Sequence, residues 1–443
     1  MSRERDLAEE TLALVAGRGD AEVNAKTGNL ALTRFANSFI HQNVAEVGES
    51  VSLRVAFDGR LASATTTRTD PESLAAFVDA TVETAALQPE DPTWPGLAPR
   101  AATATIDHAD DATYHATAAQ RAAKVETFVD AGDGLVAAGY CETEGSSVAF
   151  VNSAGQHASG RTTRAILDGI HQTGTSSGSG HSAGPGLGGI DAAAVGEQAA
   201  RRARESEITF DAKPGDYEVV LAPECVATIA VFLGFYGFNA KAHAEGQSFA
   251  EIGVTQFDER FQMWDDVTDP QAMGRPFDAE GTPKGRTDLV ADGVTLGLAH
   301  DRRTAKAAGV VSTGHYEPGS DTFGPFVTNV FVGGGHQSVD ALITGVDRGL
   351  YVAAFNYCRV LDPKTLVVTG LTRNGTFMIE NGKITGAVSN LRFTQSFVDA
   401  LGPGAIRGLG DDSRFADSEF APGIMHTPSL RLGSWHFTGG AGG

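Results

Sequence analysis

The sequence predicts an α+β protein of two domains. An N-terminal mixed α/β layer takes residues 1–212, and a C-terminal, mostly antiparallel β domain with one long helix takes residues 213–443. Three observations carry this. In the first half, apolar residues recur by turns at strand and at helix spacing. Pro214-Gly215 punctuates the chain just before a new apolar run, "YEVVL". Beyond it, turn dipeptides with apolar flanks dominate and a regular βαβ order is missing. At roughly 100–200 residues per domain, 443 residues allow two or three domains, and two is the simplest.

The elements follow in order. "ESVSLRVAFDGRLASATTT" reads as two strands joined at Asp58-Gly59. In "TDPESLAAFVDATVETAAL", Asp70 is placed to cap a helix and Pro71 suits its first position. Leu74, Phe77, Val78 and Val82 then form one apolar face. "TAAQRAAKVETFVDAG" is a second helix, with Val125, Phe128 and Val129 inward. Short strands are expected from about Leu135 to Ile170. The Gly/Ser-rich stretch from Gly174 to Gly189 reads as a mobile loop, anchored only by Leu187, and a helix follows from about Asp191 to Glu205. After the boundary, one long helix is expected from about Glu224 to His243. Asp292-Gly293 and Asn381-Gly382 mark two further hairpins.

Composition narrows the function. The chain has 34 Lys and Arg against 55 Asp and Glu, a formal net charge of −21. An acidic surface repels phosphate backbones, which argues against nucleic-acid binding. Cys141, Cys225 and Cys358 are far apart and form no CxxC, which fits a reducing compartment. The charged start "MSRERDLAEE" does not read as a signal peptide, and the longest apolar stretch, Val226 to Phe238, is too short to span a bilayer. The expectation is a cytoplasmic protein with no membrane partner.

No familiar catalytic motif is complete. Gly184, Gly186 and Gly189 match GxGxxG, but a long loop precedes them where a nucleotide fingerprint needs a strand. His171 and His181 flank that loop, His300-Asp301 ends a strand, and His336 follows three glycines; no pair has metal-ligand spacing on one element. Asp258, Glu259, Asp265, Asp266 and Asp269 lack the Gly and Glu of a calcium loop and read as a solvated acidic face. In "FNAKAHAEGQSFAE", His243 has Ala244 beside it, Gln247 at i+4 and Ser248 at i+5. Glu245 points about 200° away round a helix. Zinc needs at least three protein ligands, so a lone histidine at a helix end reads as structural.

One stretch carries a resemblance. "PFDAEGTPKGRTDLVADGVTLGLAHDRRTAKAAG", residues 276 to 309, resembles the TldD/PmbA family, with its Asp-x-Glu-Gly-Thr-Pro segment followed by an Arg-Thr strand. "GPFVTNVFVGGGHQSVDALITGVDRGLYV" and "FMIENGKITGAV" are similar to later family segments, in the same order. In that family, TldD-type chains carry His-Glu-x-x-x-His on the helix and a late cysteine, which bind a catalytic metal. PmbA-type (TldE) chains lack these and pair with a TldD-type chain. The resemblance implies the PmbA type here, with His243 as the vestige of an emptied site. It implies no catalytic, cofactor-binding or metal residue in this chain, zinc in the partner subunit, and proteolysis of peptides or unfolded polypeptides only with a TldD-type partner. The resemblance leaves open a self-dimer, a self-sufficient metallopeptidase using His243 with distant residues, and a binding or scaffold protein without catalysis.

Overall fold

The computed structural model describes residues 2–420 and 425–440. The fold is α+β with three largely antiparallel sheets. The first sheet holds β1 (Asp20–Ala36), β2 (Phe39–Phe57), β3 (Arg60–Thr66), β4 (Val136–Asn152), β5 (His157–Gln172) and β6 (Ser177–Gly184), in the order β3-β2-β1-β4-β5-β6. One face is covered by α1 (Arg3–Val15), α2 (Pro71–Leu87), the single turn α3 (Asp111–Tyr114), α4 (Ala118–Asp130) and α5 (Ala192–Glu205). Asp70 caps α2 by accepting from the Ser73 amide at 2.9 Å, with Pro71 in the first turn. Thr117 and Gln120 form a reciprocal capping box on α4.

Alternation along β4 assigns its two faces. Ala149 and Val151 pack into the core under α1 and α2, whereas Val148 and Phe150 meet Phe277 from the second half of the chain. β4 and β5 are long, not the short strands expected, and run in unbroken register from Val136↔Gln172 to Val151↔His157. The Gly/Ser segment differs as well. It contains β6, paired with β5 from Ala165↔Gly184 to Gln172↔Ser177 and lying directly under α5. Its glycines permit close approach: a Cβ on Gly178 would lie 2.3 Å from the Ala199 carbonyl oxygen, and one on Gly180 would lie 2.2 Å from that of Val195.

The second half builds two sheets. β7 (Thr209–Phe210), β8 (Gly215–Leu221), β13 (Arg348–Asp362), β14 (Val367–Glu380), β15 (Lys383–Val388), β16 (Leu391–Ser396) and β20 (Leu430–Gly440) run in the order β13-β8-β20-β16-β14-β15-β7, with β17 (Ile406–Leu409) beside β20. β13 also pairs with β14, so five strands close into a ring around Phe355, Phe393 and Trp435. The other sheet is β9 (Met263–Asp265), β10 (Thr287–Ala291), β11 (Val294–Thr295), β12 (Val330–Val332), β18 (Arg414–Ala416) and β19 (Met425–Thr427), in the order β11-β10-β9-β12-β19-β18.

All three expected hairpins form. Asp58-Gly59, Asp292-Gly293 and Asn381-Gly382 each have positive φ at both positions, as a type I′ turn requires. The long helix does not. α6 (Pro223–Phe232) passes into a π turn, Leu233–Gly237, breaks at Phe238-Asn239, and resumes as the five-residue α7 (Ala240–Ala244). Gly234 and Gly237 mark the break: Cβ atoms there would lie 2.4 Å from Val327 and 2.1 Å from the Phe249 ring. No helix among the described residues is long and apolar enough to cross a membrane.

Candidate functional site

A cleft of about 610 Å³ lies between the free face of the first sheet and the second half. Ser146 and Val148 of β4 and Gly160 and Thr162 of β5 form one wall. The opposite wall is the end of α6 and the π turn, presenting Val231 and Phe235, with Phe326 and Phe420 beside them. Phe235 packs against Tyr236, Phe323 and Phe326 at ring separations of 4.9, 6.2 and 5.5 Å. The lining is mostly apolar apart from Ser146 and Thr162 on the sheet wall, Arg275 and Glu317, and a polar end at Lys284, Thr328 and Asn329.

That end is built around a buried carboxylate. Asp265 Oδ2 accepts the amides of Thr328 and Asn329, each at 2.7 Å, and Oδ1 lies 3.3 Å from His315 Nε2 in ion-pair contact without hydrogen-bond geometry. Lys284, also buried, donates to Thr328 Oγ1 at 2.7 Å. Burial opposes the charge on Asp265, but Lys284, His315 and the backbone amides outweigh it and hold this carboxyl well below the ordinary range. Carboxylate and cation thus fix the Lys284 and Thr328–Asn329 segments that line the cleft.

The Asp-x-Glu-Gly-Thr-Pro segment, residues 278–283, anchors the second half to the first sheet. Asp278 accepts the amides of Glu280 and Thr282 at 2.9 Å and of Tyr316 at 3.0 Å, which shapes the turn. Gly281 has φ 74°, and a Cβ there would lie 2.2 Å from the Phe150 ring. Gln156 and Asn24 of the first half donate to the carbonyls of Gly281 and Ala279, both at 2.8 Å. Glu280 meets Arg54, which also binds Glu22 at 2.8 Å and the Tyr316 hydroxyl. Several carboxylates therefore share one buried guanidinium. Burial pushes Glu22 up to about 7 despite Arg54, and burial with Asp278 nearby raises Glu280 as well.

Most of the residues singled out in the sequence are scattered, although His300 is near His243: burial, with His243 and His315 nearby, holds the His300 imidazole below its ordinary range. His243 is exposed on α7 and is not among the cleft-lining residues; Ala244, Glu245 and Gln247 are exposed too. His171 is buried, stacks on Phe128 at 4.7 Å and makes a 3.0 Å bond to the Phe128 carbonyl. His336 is exposed. The three cysteines are buried and unpaired, and burial pushes the Cys141 thiol up to about 12. The acidic stretch is not a solvated face: Asp258, Asp265 and Asp266 are buried because each accepts backbone amides, while Glu259 stays exposed. Sequence reasoning missed the cleft wall at Val231 and Phe235, because apolar residues on an apolar helix carry no chemical signal.

The residues of the cleft do not fit a hydrolytic zinc. Zinc needs three nitrogen, sulfur or carboxylate ligands. Among the described lining residues there is no His, Cys or Asp, and the one carboxylate, Glu317, is 3.3 Å from Arg275.

Comparison with known proteins agrees with this architecture. The family model for the PmbA/TldA metallopeptidase C-terminal domain matches residues 214–439, and that for PmbA/TldA metallopeptidase domain 1 matches residues 21–85. The chain is 27% identical over 237 residues to the metalloprotease TldD homolog of Buchnera aphidicola, covering 50% of this chain and 48% of that protein. It is 26% identical over 295 residues to a metalloprotease of Methanothermobacter thermautotrophicus, covering 64% of each. It thus spans less than two thirds of the length of these curated relatives. In fold it is similar to TldE from Thermococcus kodakarensis, with a TM-score of 0.86 at 17% identity, covering 98% of this chain and 99% of that one.

Proposed function

The chain belongs to the PmbA/TldD metallopeptidase family, and from that premise we propose that it is the subunit without the catalytic metal in a heteromeric peptidase, the PmbA (TldE) type. A TldD-type subunit supplies the zinc and the hydrolytic chemistry. This chain supplies part of the enclosing surface and an apolar cleft for side chains of a peptide or unfolded polypeptide, within the cytoplasm.

The observation that carries this reading is the π turn. The family's His-Glu-x-x-x-His motif spaces its histidines five apart. On a regular α-helix those positions diverge by about 140°, whereas a π turn, with its i→i+5 bonding, brings them towards one face. The turn at Leu233–Gly237 provides that geometry beside the cleft. Pairs of that spacing at the turn include Ala230 with Phe235, Val231 with Tyr236, and Leu233 with Phe238, whose carbonyl and amide close it at 2.9 Å. None is a metal ligand. We therefore assign the emptied site to the π turn rather than to His243.

The test is hydrolysis of an unfolded polypeptide such as reduced casein. The chain alone should be inactive, and mixing with a TldD-type subunit should give chelator-sensitive cleavage. His243→Ala should leave the mixture unaffected, whereas Phe235→Asp should raise KM by roughly tenfold, since a carboxylate in an apolar cleft repels apolar side chains. Chelator-sensitive cleavage by the chain alone would refute the assignment.

A further inference from the structure

We propose that Asp168, His181 and Asp417 hold a divalent transition-metal ion at the seam between the first sheet and the second half, outside the cleft. Asp168 on β5 and His181 on β6 are directly opposite in register. Asp417 follows β18, which packs against β6. One donor atom from each lies within 4.8 Å of the other two. The 3.3 Å between His181 Nδ1 and Asp168 Oδ2 is long for a charge-assisted hydrogen bond. It is close to the ~3.4 Å between two ligands held ~2.1 Å from one tetrahedral ion.

A second observation points to an occupant. The His181 side chain is only 5% exposed, and its Nε2 is buried without a hydrogen-bond partner. An ion held by Nδ1 leaves Nε2 with the ring proton, so Nε2 does not bind the ion itself; it shows that the buried polar groups of this site are not satisfied by protein partners alone, which is costly unless something fills the site. The imidazole lines a cavity of about 270 Å³. Nearby cations are engaged elsewhere: Arg414 binds Glu224 at 2.7 Å, and Arg202 donates to the Ser179 carbonyl and the Tyr351 hydroxyl. Glu224 Oε2 is likewise buried without a partner.

One imidazole and two carboxylates suit zinc or manganese(II) better than calcium or magnesium, which favour all-oxygen sites. The ion would tie β5 and β6 to the segment after β18. The competing occupant is a proton, giving an imidazolium between two carboxylates.

The full chain, stripped with chelator, should be titrated with zinc and manganese(II) by calorimetry. We expect one ion per chain, bound at least tenfold more weakly after Asp417→Asn or His181→Gln and unchanged after His243→Ala. Because a buried substitution can unfold the seam, the wild-type chain provides a second readout. Zinc should shift the His181 ring-nitrogen resonances from those of a ring protonated on at most one nitrogen. A His181 ring protonated on both nitrogens and unmoved by zinc would overturn the proposal, as would binding insensitive to both substitutions. Either result leaves the subunit reading intact, since that one is decided by hydrolysis.

Discussion

Gly180→Ala offers a direct test of how the first sheet is closed. The added Cβ would meet the Val195 carbonyl oxygen at 2.2 Å and Val195 Cγ1 at 2.9 Å. Ordinary contact is about 1 Å further away, and the obstacle is helix backbone that no rotamer change can move. α5 must therefore retreat, loosening Val195, Ala199 and Ala203 on its own buried face. Overpacking costs roughly 1–3 kcal/mol, and a backbone obstacle places this case near about 3 kcal/mol. Gly188→Ala is the control. It lies in the same Gly-rich stretch, but its Cβ would meet nothing within 4 Å, so the change should stay within about 0.5 kcal/mol. Urea unfolding followed by circular dichroism measures both, and hydrogen exchange reports protection of the amides in β6. If Gly180→Ala is as mild as Gly188→Ala and the amides exchange freely, β6 does not lie under α5 and the close-approach argument fails.

Two further predictions concern buried charge. Glu22 keeps its proton up to about 7 in the fold against 4.5 in a free chain, so between those values the folded state binds more protons and stability falls as pH rises, by roughly 3 kcal/mol across the window. Glu22→Gln should flatten that decline; melting temperatures at pH 5 and 8 with an unchanged slope would count against it. Lys284→Met removes the cation that helps hold Asp265 charged and should cost roughly 3 kcal/mol at pH 7. Asp265 is lowered, so its contribution is present above the free value of 3.8 and lost as pH falls through its folded value. The deficit relative to wild type should therefore narrow only in strong acid, as pH falls through the folded value of Asp265, and a deficit unchanged there would contradict the pairing.

Much of this fold was legible where local chemistry decides geometry. The three Asp-Gly and Asn-Gly turns, the cap at Asp70, and the helix after Asp191 depend on residues within a few positions of one another. The misreadings share a cause, which is glycine serving a distant neighbour. Gly178 and Gly180 make room for α5, so a Gly-rich strand resembles a loop. Gly234 and Gly237 make room for Val327 and Phe249, so an apolar run that reads as one helix is broken into a π turn and a short helix. β4 and β5 were underestimated because both faces of β4 are covered towards its end, which erases the alternation that marks a strand's extent. The cleft and the seam site were illegible for a simpler reason: Val148 and Phe235, like Asp168 and Asp417, meet only through the tertiary fold.

The ring of five strands also dictates an order of events during synthesis. β8 lies between β13 and β20, with Glu218 pairing with Gly349 and Leu221 with Leu430. All six strands of the first sheet are made before β8, so that sheet can close early. β8 instead leaves the ribosome with both edges unpaired and with Tyr217, Val219 and Leu221 lacking their core, and it stays so until the far end of the ring is translated. Pairings this distant in sequence are slow, and an apolar strand kept waiting is a natural binding site for chaperones and a starting point for misassembly.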